Sequence, residues 1–394
     1  MSQAKDIQSL EIFKGDQFVG QLERTPKGCH LSFDKDYFSA HKGQRLTYKI
    51  TVTDPILGFS GTNLPTYFAG LLPEGLRLKA LVHRLKTSED DMFSLLVASG
   101  ANPVGDIYFQ NSEAEPKLEL PRRFSELRER LKEGEDPGNS ALAGVQEKLS
   151  ADRISWPLSG RKRNKSYILK LESPKFPQGP QNEFLCLKIA KACGLQVNAA
   201  SLIKDEEGAE ALLVERFDRE WDKQEKKWRR FHQEDSCQFL DRYPADKYRL
   251  TMQEIAEGIG EVATTPEIET LRLLKLCAFS YLIGNGDLHG KNISLIEKNG
   301  MTQFTPCYDI LCTAVYGDDK MALLMDGKNQ NWKRKLFVEF GHRYGVSREA
   351  TESMLNQLTK KFVIHKEELF QLPLATGKKA FLDPFFKERL GHLG

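Results

Sequence analysis

The sequence lacks any long hydrophobic run. Its amino terminus, MSQAKDIQSL, has no apolar signal core, and its longest apolar stretches fall far short of the roughly 20 residues that span a bilayer. We therefore expect a cytoplasmic protein with no membrane partner.

Cysteine is scarce, and no two cysteines form a CxxC pair. The odd number of seven and the apolar neighbours favour buried free thiols in a reducing compartment over disulfides or a zinc site. The cysteines are Cys29, Cys186, Cys193, Cys237, Cys277, Cys307 and Cys312.

Neither sign of charge is in clear excess. The 57 basic residues face 55 acidic ones, a net charge of +2, so composition gives no reason to expect direct binding to nucleic acid. With 394 residues, of which 40% are hydrophobic, the chain can form two or three folded domains.

The first part of the chain, residues 1 to about 115, has the pattern of an α/β domain. Alternation around Gly15-Asp16 predicts a hairpin, and LTYKITVTD at 46–54 predicts a further β-rich run. A helical pattern follows that Pro73 interrupts, and Gly100 is expected to end the next helix before a strand.

A lysine in an apolar strand marks the middle of the chain. Lys170 lies in YILKLES, where an unpaired ammonium would be costly to bury, so it needs a carboxylate or a nucleotide phosphate. Glu183, near the start of the helix NEFLCLKIAKACGL, is the nearest candidate. Protein kinases set their phosphate-binding lysine with such a strand–helix pair.

Two further features of the middle region allow a functional and a structural interpretation. The small residues of GNSALAG at 138–144 are compatible with a phosphate-binding loop, although such loops are usually turns. His232, Glu234 and Asp235 in HQED could indicate a metal site, but without a second histidine at ligand spacing we favour a buried hydrogen-bonded cluster.

Trp221 and Trp228 are expected to pack across a hairpin.

The most regular helical pattern is TTPEIETLRLLKLCAFSYLIG at 264–284. Thr265 is expected to cap it, Pro266 to occupy its first position and Gly284 to end it. Its predicted buried face consists of Ile268, Leu271, Leu274, Ala278 and Leu282.

The helix leads into IGNGDLHGKNIS at 283–294. Asp287 and Asn292 have the D-x-x-x-x-N spacing of a protein-kinase catalytic loop, although GNGD is also ordinary turn chemistry. A hairpin turning at Asn299-Gly300 is expected to bring Asp309 of CYDI back beside Asn292. A base, an amide oxygen and a second carboxylate are what phosphoryl transfer requires.

Taken in order, the motifs of the chain resemble those of the HipA-like serine/threonine kinases, the toxins of bacterial HipBA toxin–antitoxin modules. The matching segments are VGDIYF, AGVQEK at 143–148, ILK, NE at 182–183, VERFDR at 214–219, HQEDSCQ at 232–238, GNGDLHGKN and PCYDI.

This resemblance implies roles for individual residues. Asp287 would be the catalytic base, Asn292 and Asp309 would bind Mg²⁺, and Lys170, supported by Glu183, would contact the phosphates of ATP. The remaining residues implied in ATP binding are Glu215 and Phe217 in the linker strand, Gly144, Val145, Gln146 and Lys148 in the phosphate loop, and His289 and Lys291 in the catalytic loop.

The same resemblance implies regulation and partners. Family members autophosphorylate a serine three residues before the loop glycine; here that position is Ala141, and Ser140 is the neighbouring candidate. A HipB-like helix-turn-helix antitoxin, contact with DNA only through that antitoxin, and a protein substrate such as an aminoacyl-tRNA synthetase are the implied partners.

The predicted fold is α+β: a two-lobed protein-kinase-like body with an additional amino-terminal α/β domain and a mainly helical C-terminal lobe. The predicted domains are residues 1–115, 116–245 and 246–394. Two alternatives stay open, a small-molecule phosphotransferase of the aminoglycoside or choline kinase type and a catalytically idle kinase-like binding module.

Overall fold

The structure is a computed structural model that describes residues 3–60, 64–110, 122–132, 154–159, 165–173, 176–374 and 376–394. The chain divides into two units. The first comprises Met1–Lys170, Lys204–Ala209 and Glu215–Ala245. The second comprises Leu171–Ile203, Glu210–Val214 and Asp246–Gly394.

An antiparallel sheet forms the centre of the first unit. Its strands are β1 (Ser9–Lys14), β2 (Gln17–Thr25), β3 (Gly28–Phe33), β4 (Ile56–Ser60) and β5 (Ile107–Gln110), in the order β4-β3-β2-β1-β5. In the first hairpin Lys14 pairs with Gln17 and Gly15 adopts a positive φ of 59°, so the predicted turn is confirmed.

Among the described residues up to 132, the first unit also contains five α-helices. They are α1 (Lys35–His41), α2 (Thr66–Gly70), α3 (Gly75–Leu85), α4 (Met92–Ser99) and, later in the unit, α5 (Phe124–Lys132). As predicted, the helical pattern breaks at Pro73, and Gly100 caps α4 by donating its N–H to the Leu96 carbonyl. The core includes Leu10, Ile12, Leu22, Leu31, Phe68, Leu96 and Phe109.

The predicted β-rich run at 46–54 is wrong, because the first strand after α1 begins at Ile56. Residues 46–50 instead close a local turn: the N–H groups of Leu46 and Thr47 donate to the Ile50 carbonyl, and the Ile50 N–H donates to Thr47 Oγ1. Local turn bonds compete with a sheet ladder. The apolar side chains of Leu46, Ile50 and Val52 are nevertheless buried.

The rest of the first unit holds short elements. They are the neighbouring strands β6 (Ile154–Ser159) and β7 (Ser166–Leu171), and later β10 (Arg219–Asp222), β11 (Lys227–Arg230), β12 (Gln233–Asp235) and α7 (Ser236–Phe239). Trp221 pairs with Trp228 across the β10–β11 hairpin, with ring centroids 5.4 Å apart, which confirms that prediction.

The second unit is mainly helical. Its helices are α6 (Gly179–Ala192), α8 (Met252–Val262), α9 (Pro266–Ile283), α10 (Arg334–Arg343), α11 (Arg348–His365) and α12 (Thr376–Leu393). Its strands are the neighbours β8 (Ala200–Lys204) and β9 (Glu210–Glu215) and the hairpin β13 (Ser294–Lys298) and β14 (Met301–Phe304). Asn299 and Gly300 both have positive φ in this hairpin turn, as predicted.

Helix α9 carries the loop of interest. It begins at Pro266 and ends at Gly284, whose φ of 78° provides a left-handed cap. Thr265 precedes the helix but makes no side-chain capping bond, and Ile268 is 53% exposed, so the predictions of a Thr265 cap and of Ile268 on the buried face are wrong. Glu267 and Ile268 are exposed, Glu269 and Thr270 are buried, and the predicted core residue Leu271 is only half-buried. From Leu276 every residue to the end of the helix is buried.

Among the described residues no helix is both long and apolar enough to cross a bilayer.

Candidate active site

The predicted catalytic loop, residues 284–292, is held by hydrogen bonds to its backbone. Asn285 Oδ1 accepts from the Asp287 N–H at 3.1 Å, and Asn292 Nδ2 donates to the Asp287 carbonyl at 2.9 Å. Thr313 Oγ1 accepts from the Gly286 N–H at 2.7 Å. The Asp287 backbone is therefore held by two neutral side chains, and the Asn292 amide is oriented by its bond to the Asp287 carbonyl.

Gly286 is required by close packing. A Cβ at this position would lie 2.6 Å from the carbonyl oxygen of Lys320 and 2.9 Å from that of Asp318, closer than real Cβ contacts. The segment 318–320 therefore presses directly against the residue before Asp287.

A tyrosine contacts the Asp287 carboxylate. The Tyr248 hydroxyl donates to Asp287 Oδ1 at 2.5 Å, and the Tyr248 ring meets the His289 ring edge-on at 5.0 Å between centroids. The neighbouring Lys247 accepts a hydrogen bond on its carbonyl from the Gly290 N–H at 2.9 Å. Residues 247–248 thus lie along the catalytic loop.

Asp309 follows a segment that returns to the loop. The preceding Tyr308 donates its hydroxyl to the Lys291 carbonyl at 2.7 Å and lies 2.6 Å from Ser294 Oγ. Asp309 itself has a φ of 56°, in the left-handed region that few non-glycine residues adopt.

Asn182 of α6 fixes the chain just after Asp309. Its Nδ2 donates to the Cys312 carbonyl at 3.0 Å, and its Oδ1 accepts from the Cys312 N–H at 2.9 Å. This two-way bond by a fully buried amide ties α6 to the segment that carries Asp309.

The HQED motif forms a closed polar cluster in the first unit. His232 Nδ1 lies 2.9 Å from Asp106 Oδ1, and His232 Nε2 lies 2.9 Å from Glu234 Oε1. Lys14 Nζ is 3.3 Å from Asp106 Oδ2, and Glu234 Oε1 also accepts the Tyr48 N–H at 2.7 Å. The predicted hydrogen-bonded cluster is confirmed, and we call Lys14, Asp106, His232 and Glu234 the amino-terminal polar cluster.

The charges of this cluster shift its two central pKa values in opposite directions. Burial and the Lys14 ammonium act to lower the pKa of His232, but Asp106 and Glu234 outweigh them and raise it to about 9. Burial acts to raise the pKa of Asp106, but His232 and Lys14 lower it to about 2. His232 is therefore an imidazolium held by carboxylates at neutral pH.

The remainder of HQEDSCQ caps a helix. Asp235 Oδ1 accepts from the Gln238 N–H, and Gln238 Oε1 accepts from the Asp235 N–H, both at 3.0 Å, which makes a capping box for α7. Gln238 Nε2 also donates to the Tyr67 carbonyl. These hydrogen bonds give the motif a structural role.

The VERFDR segment alternates between buried and half-buried side chains. Arg216 and Asp218 are buried, whereas Glu215 and Phe217 are half-buried. Asp218 accepts from Arg216, Arg219 and the Gly105 N–H, and both guanidinium groups donate to the Pro103 carbonyl. We call Arg216, Asp218 and Arg219 the Asp218 cluster.

Two protein-family models match this chain. The family model of the HipA-like C-terminal domain matches residues 140–365, and that of the HipA N-terminal domain matches residues 10–110. The chain belongs to the HipA family. It is a HipA-type toxin kinase, and kinases of this type use ATP.

The chain aligns in sequence with individual relatives over most of their length. The chain is 31% identical over 345 residues to protein Y4mE of Sinorhizobium fredii, covering 80% of each protein. It is 29% identical over 357 residues to the serine/threonine-protein kinase toxin HipA of Shewanella oneidensis, covering 82% of this chain and 79% of that protein.

The HipA fold is shared as well. The structure of the Shewanella oneidensis toxin–antitoxin complex of HipA, HipB and operator DNA contains a chain that matches with a TM-score of 0.75 and 22% sequence identity. The match covers 98% of this chain and 96% of that chain. The predicted α+β class and kinase-like HipA fold are confirmed.

The predicted site residues fall into three groups. The second unit contains Asp287, His289, Lys291, Asn292 and Asp309, together with Glu183 on α6, which is 1% exposed. The first unit contains Lys170 on β7, 9% exposed, Glu215 at the end of β9 and Phe217 two residues later. The predicted phosphate-loop residues and autophosphorylation site lie outside the described residues; they are Gly144, Val145, Gln146, Lys148, Ser140 and its neighbour Ala141.

Sequence reasoning missed several residues that hold the predicted catalytic loop or the segment that carries Asp309. Tyr248, Thr313 and Asn182 are distant in sequence from the motif and have no spacing that points to it. For Asn182 a weak signal existed, because the NE pair it forms with Glu183 was part of the family pattern.

All seven cysteines are free thiols, as predicted; Cys307 is half-buried and the others are buried. Burial raises the pKa of Cys193, Cys307 and Cys312 to about 12, so these thiols stay protonated and unreactive at neutral pH.

Proposed function

We propose that the chain transfers the γ-phosphoryl group of ATP to a serine or threonine hydroxyl of a protein, with Asp287 as the base. The observation that carries this proposal is the construction of the catalytic loop: the Asn292 amide and the Asp287 backbone are bonded to each other at 2.9 Å, at the spacing that kinases use. Asp287 is 2% exposed, so a carboxylate here is shielded from bulk water.

The residues expected to bind metal fit Mg²⁺. An amide oxygen from Asn292 and a carboxylate from Asp309 are hard oxygen ligands, and Asn292 uses its Nδ2 in the loop, which turns its oxygen away from the Asp287 carbonyl. Among the described residues no three His, Cys, Asp or Glu side chains cluster as a metal site. Mg²⁺ held by two side chains and the phosphates of ATP needs no such cluster, and it would neutralise charge on those phosphates.

The chemistry of the chain's own residues follows from these positions. The acceptor's hydroxyl oxygen bonds to the γ-phosphorus, and the Asp287 carboxylate takes the proton of that hydroxyl. The bond from the γ-phosphorus to the ADP oxygen breaks at the same time. Lys170, supported by Glu183, is assigned to the ATP phosphates. Its place at the end of an apolar strand, 9% exposed, is consistent with a cation that serves an anionic ligand.

The linker residues support adenine binding through the backbone. The Glu215 carboxylate is already used, since its Oε2 lies 2.5 Å from Lys165 Nζ. Glu215 and Phe217 therefore would contact adenine mainly with main-chain groups. His289 and Lys291 stay assigned to ATP binding, as do Gly144, Val145, Gln146 and Lys148.

Intact-mass spectrometry tests the proposal. The purified protein is incubated with ATP and Mg²⁺ beside Asp287→Asn, and phosphate should be gained by the wild type only. The variant should bind ATP normally, yet its rate of incorporation should fall at least about 100-fold, the usual contribution of a general base.

The location of the phosphate tests self-inhibition. We propose Ser140 as the autophosphorylated residue, so Ser140→Ala should abolish the modification at that site. Phosphate found elsewhere would remove Ser140 from the proposal. Wild-type protein that binds ATP but gains no phosphate would instead favour a small-molecule acceptor or an idle module.

A HipB-like helix-turn-helix antitoxin is the proposed partner, because the matched Shewanella oneidensis structure contains HipA with HipB and operator DNA. A net charge of +2 provides little electrostatic attraction to DNA, so DNA contact through the antitoxin is expected. Operator binding only in the presence of such a partner is the expected result of a gel-shift assay. An aminoacyl-tRNA synthetase is the proposed substrate class.

A further inference from the structure

The Asp287 carboxylate has two oxygens, and Tyr248 engages one of them. The Tyr248 hydroxyl donates to Oδ1 at 2.5 Å. A phenol that donates to a carboxylate restrains the carboxyl plane, because hydrogen bonds to ionised acceptors are short and strongly directional. The other oxygen, Oδ2, then has a defined direction.

Tyr248 is itself held in place by the catalytic loop. Its ring meets the His289 ring edge-on at 5.0 Å, and the adjoining Lys247 carbonyl accepts the Gly290 N–H at 2.9 Å. Residues 247–248 therefore make both a ring contact and a backbone bond to residues that follow Asp287 in the loop. Because the Tyr248 ring and the neighbouring backbone are both held, the Tyr248 hydroxyl is suited to orient the Asp287 carboxylate.

We propose that Tyr248 is a positioning residue of the transfer reaction: its hydroxyl holds Asp287 Oδ1 so that Oδ2 receives the proton of the acceptor. This inference rests on the proposed role of Asp287 as base. The proton of Tyr248 stays on the phenol throughout, while the acceptor's proton moves to Oδ2 as its oxygen bonds to the γ-phosphorus.

The test compares the rate of phosphate incorporation in the wild type, Tyr248→Phe, Tyr248→Leu and Asp287→Asn, followed by intact mass at varied ATP. Tyr248→Phe removes the hydroxyl and keeps the ring against His289. We expect its maximal rate to fall about 10- to 100-fold, the cost of a misdirected reacting group, while the ATP concentration at half-maximal rate is unchanged. Rates are divided by the ATP-binding stoichiometry, so that misfolded protein does not count as lost activity.

Tyr248→Leu separates the ring from the hydroxyl. It should reach no higher rate than Tyr248→Phe but should melt at a lower temperature, because it also loses the ring contact. The matched control is Tyr344→Phe, which removes an exposed phenol bonded to Glu257 Oε1 at 3.2 Å and should react like the wild type.

Two results would overturn the inference. A wild-type maximal rate in Tyr248→Phe with a loss only in Tyr248→Leu would assign the effect to ring packing. A rise in the half-saturating ATP concentration at an unchanged maximal rate would make Tyr248 an ATP contact. In both cases Asp287→Asn stays inactive, whereas absence of phosphate from the wild type itself would contradict the proposed function.

Discussion

The amino-terminal polar cluster and the catalytic loop are both rich in buried polar groups, yet they are built differently. In the cluster, charged side chains satisfy one another: His232 lies between Asp106 and Glu234, and Lys14 reaches Asp106. In the loop, neutral side chains bond to the backbone, as Asn285 and Thr313 do.

This difference separates structural from reactive charge. When cations bond to a buried carboxylate, its pKa falls and its charged form is favoured, as Asp106 shows. Oxygens that are already bonded in this way are not available to a substrate. The contacts described for Asp287, from Asn285, Asn292 and Tyr248, come from neutral groups. The motif with more charge, HQED, is therefore structural, and the motif with less, GNGD, is the candidate for catalysis.

The largest effect is expected from a substitution in the Asp218 cluster, where charged side chains also bond to one another. Asp218→Asn would leave Arg216 and Arg219 buried without their carboxylate, and breaking a buried ion pair costs about 3–5 kcal/mol of unfolding free energy. Urea denaturation measures this loss. Burial acts to raise the pKa of Asp218, but these arginines hold it well below its usual range, in agreement with a closed cluster.

The control for this variant is Asp16→Asn, which removes the same charge from an exposed ion pair with Lys227. Exposed ion pairs contribute little to stability, because water screens them. If both variants lost the same small stability, the Asp218 cluster would not be a structural element.

Gly286→Ala is expected to have the next largest effect, and on activity rather than on stability. The added Cβ would meet the Lys320 carbonyl oxygen at 2.6 Å, so the backbone before Asp287 must shift. A misplacement of about 1 Å costs roughly 100-fold in rate, equivalent to about 2.7 kcal/mol. Phosphate incorporation measures it.

Gly300→Ala serves as the control for Gly286→Ala, because nothing lies within 4 Å of its added Cβ. Its positive φ makes it strained, so it should lose stability while its rate stays near that of the wild type. An unaffected rate in Gly286→Ala would show that the loop tolerates displacement.

The sequence predicted the elements whose signals are local. Gly15-Asp16, Pro73, Gly100 and Gly284 mark turns and helix ends where they were expected, because the backbone conformations they allow depend on the residue itself. The run at 46–54 failed because β-propensity reports burial as much as strand pairing, and its turn bonds involve Thr47 and Ile50 within the run.

The site was predictable only in part, for a related reason. Asp287 and Asn292 are five residues apart and carry a recognisable spacing, whereas the contacts of Asp287 with Tyr248 and of Cys312 with Asn182 join residues 39 and 130 positions apart. No periodicity encodes such pairs. His232 was assigned correctly because the absence of a ligand partner is also a local observation.

A pH effect is expected in the amino-terminal polar cluster. The pKa of His232 is raised from 6.5 to about 9, so its contribution is complete below pH 6.5 and is lost as the pH rises through 9; the loss is on the order of 3 kcal/mol. The pKa of Asp106 is lowered from 3.8 to about 2, so its contribution is complete above pH 3.8 and is lost as the pH falls through 2.

Hydrogen exchange of residues 104–109 and 231–235, followed from pH 6 to 10 and corrected for the intrinsic rate, measures the alkaline loss. His232→Gln should flatten the dependence, since glutamine does not titrate. The same dependence in the variant would show that another group is responsible.

The smallest effect is expected from Thr313→Val, which tests the neutral design of the loop. Thr313 Oγ1 accepts the Gly286 N–H at 2.7 Å and lies 2.5 Å from the Asp318 carbonyl and 3.1 Å from that of Gly284, to one of which it donates. Valine has nearly the same shape but leaves the buried Gly286 N–H without an acceptor, at a cost of about 1–2 kcal/mol. Thr313→Ser retains the hydroxyl and should behave like the wild type. Because no charge changes, the loss measured by urea denaturation should be independent of salt, in contrast to the Asp16→Asn control, and a salt-dependent loss would mean that charge and not backbone bonding holds the catalytic loop.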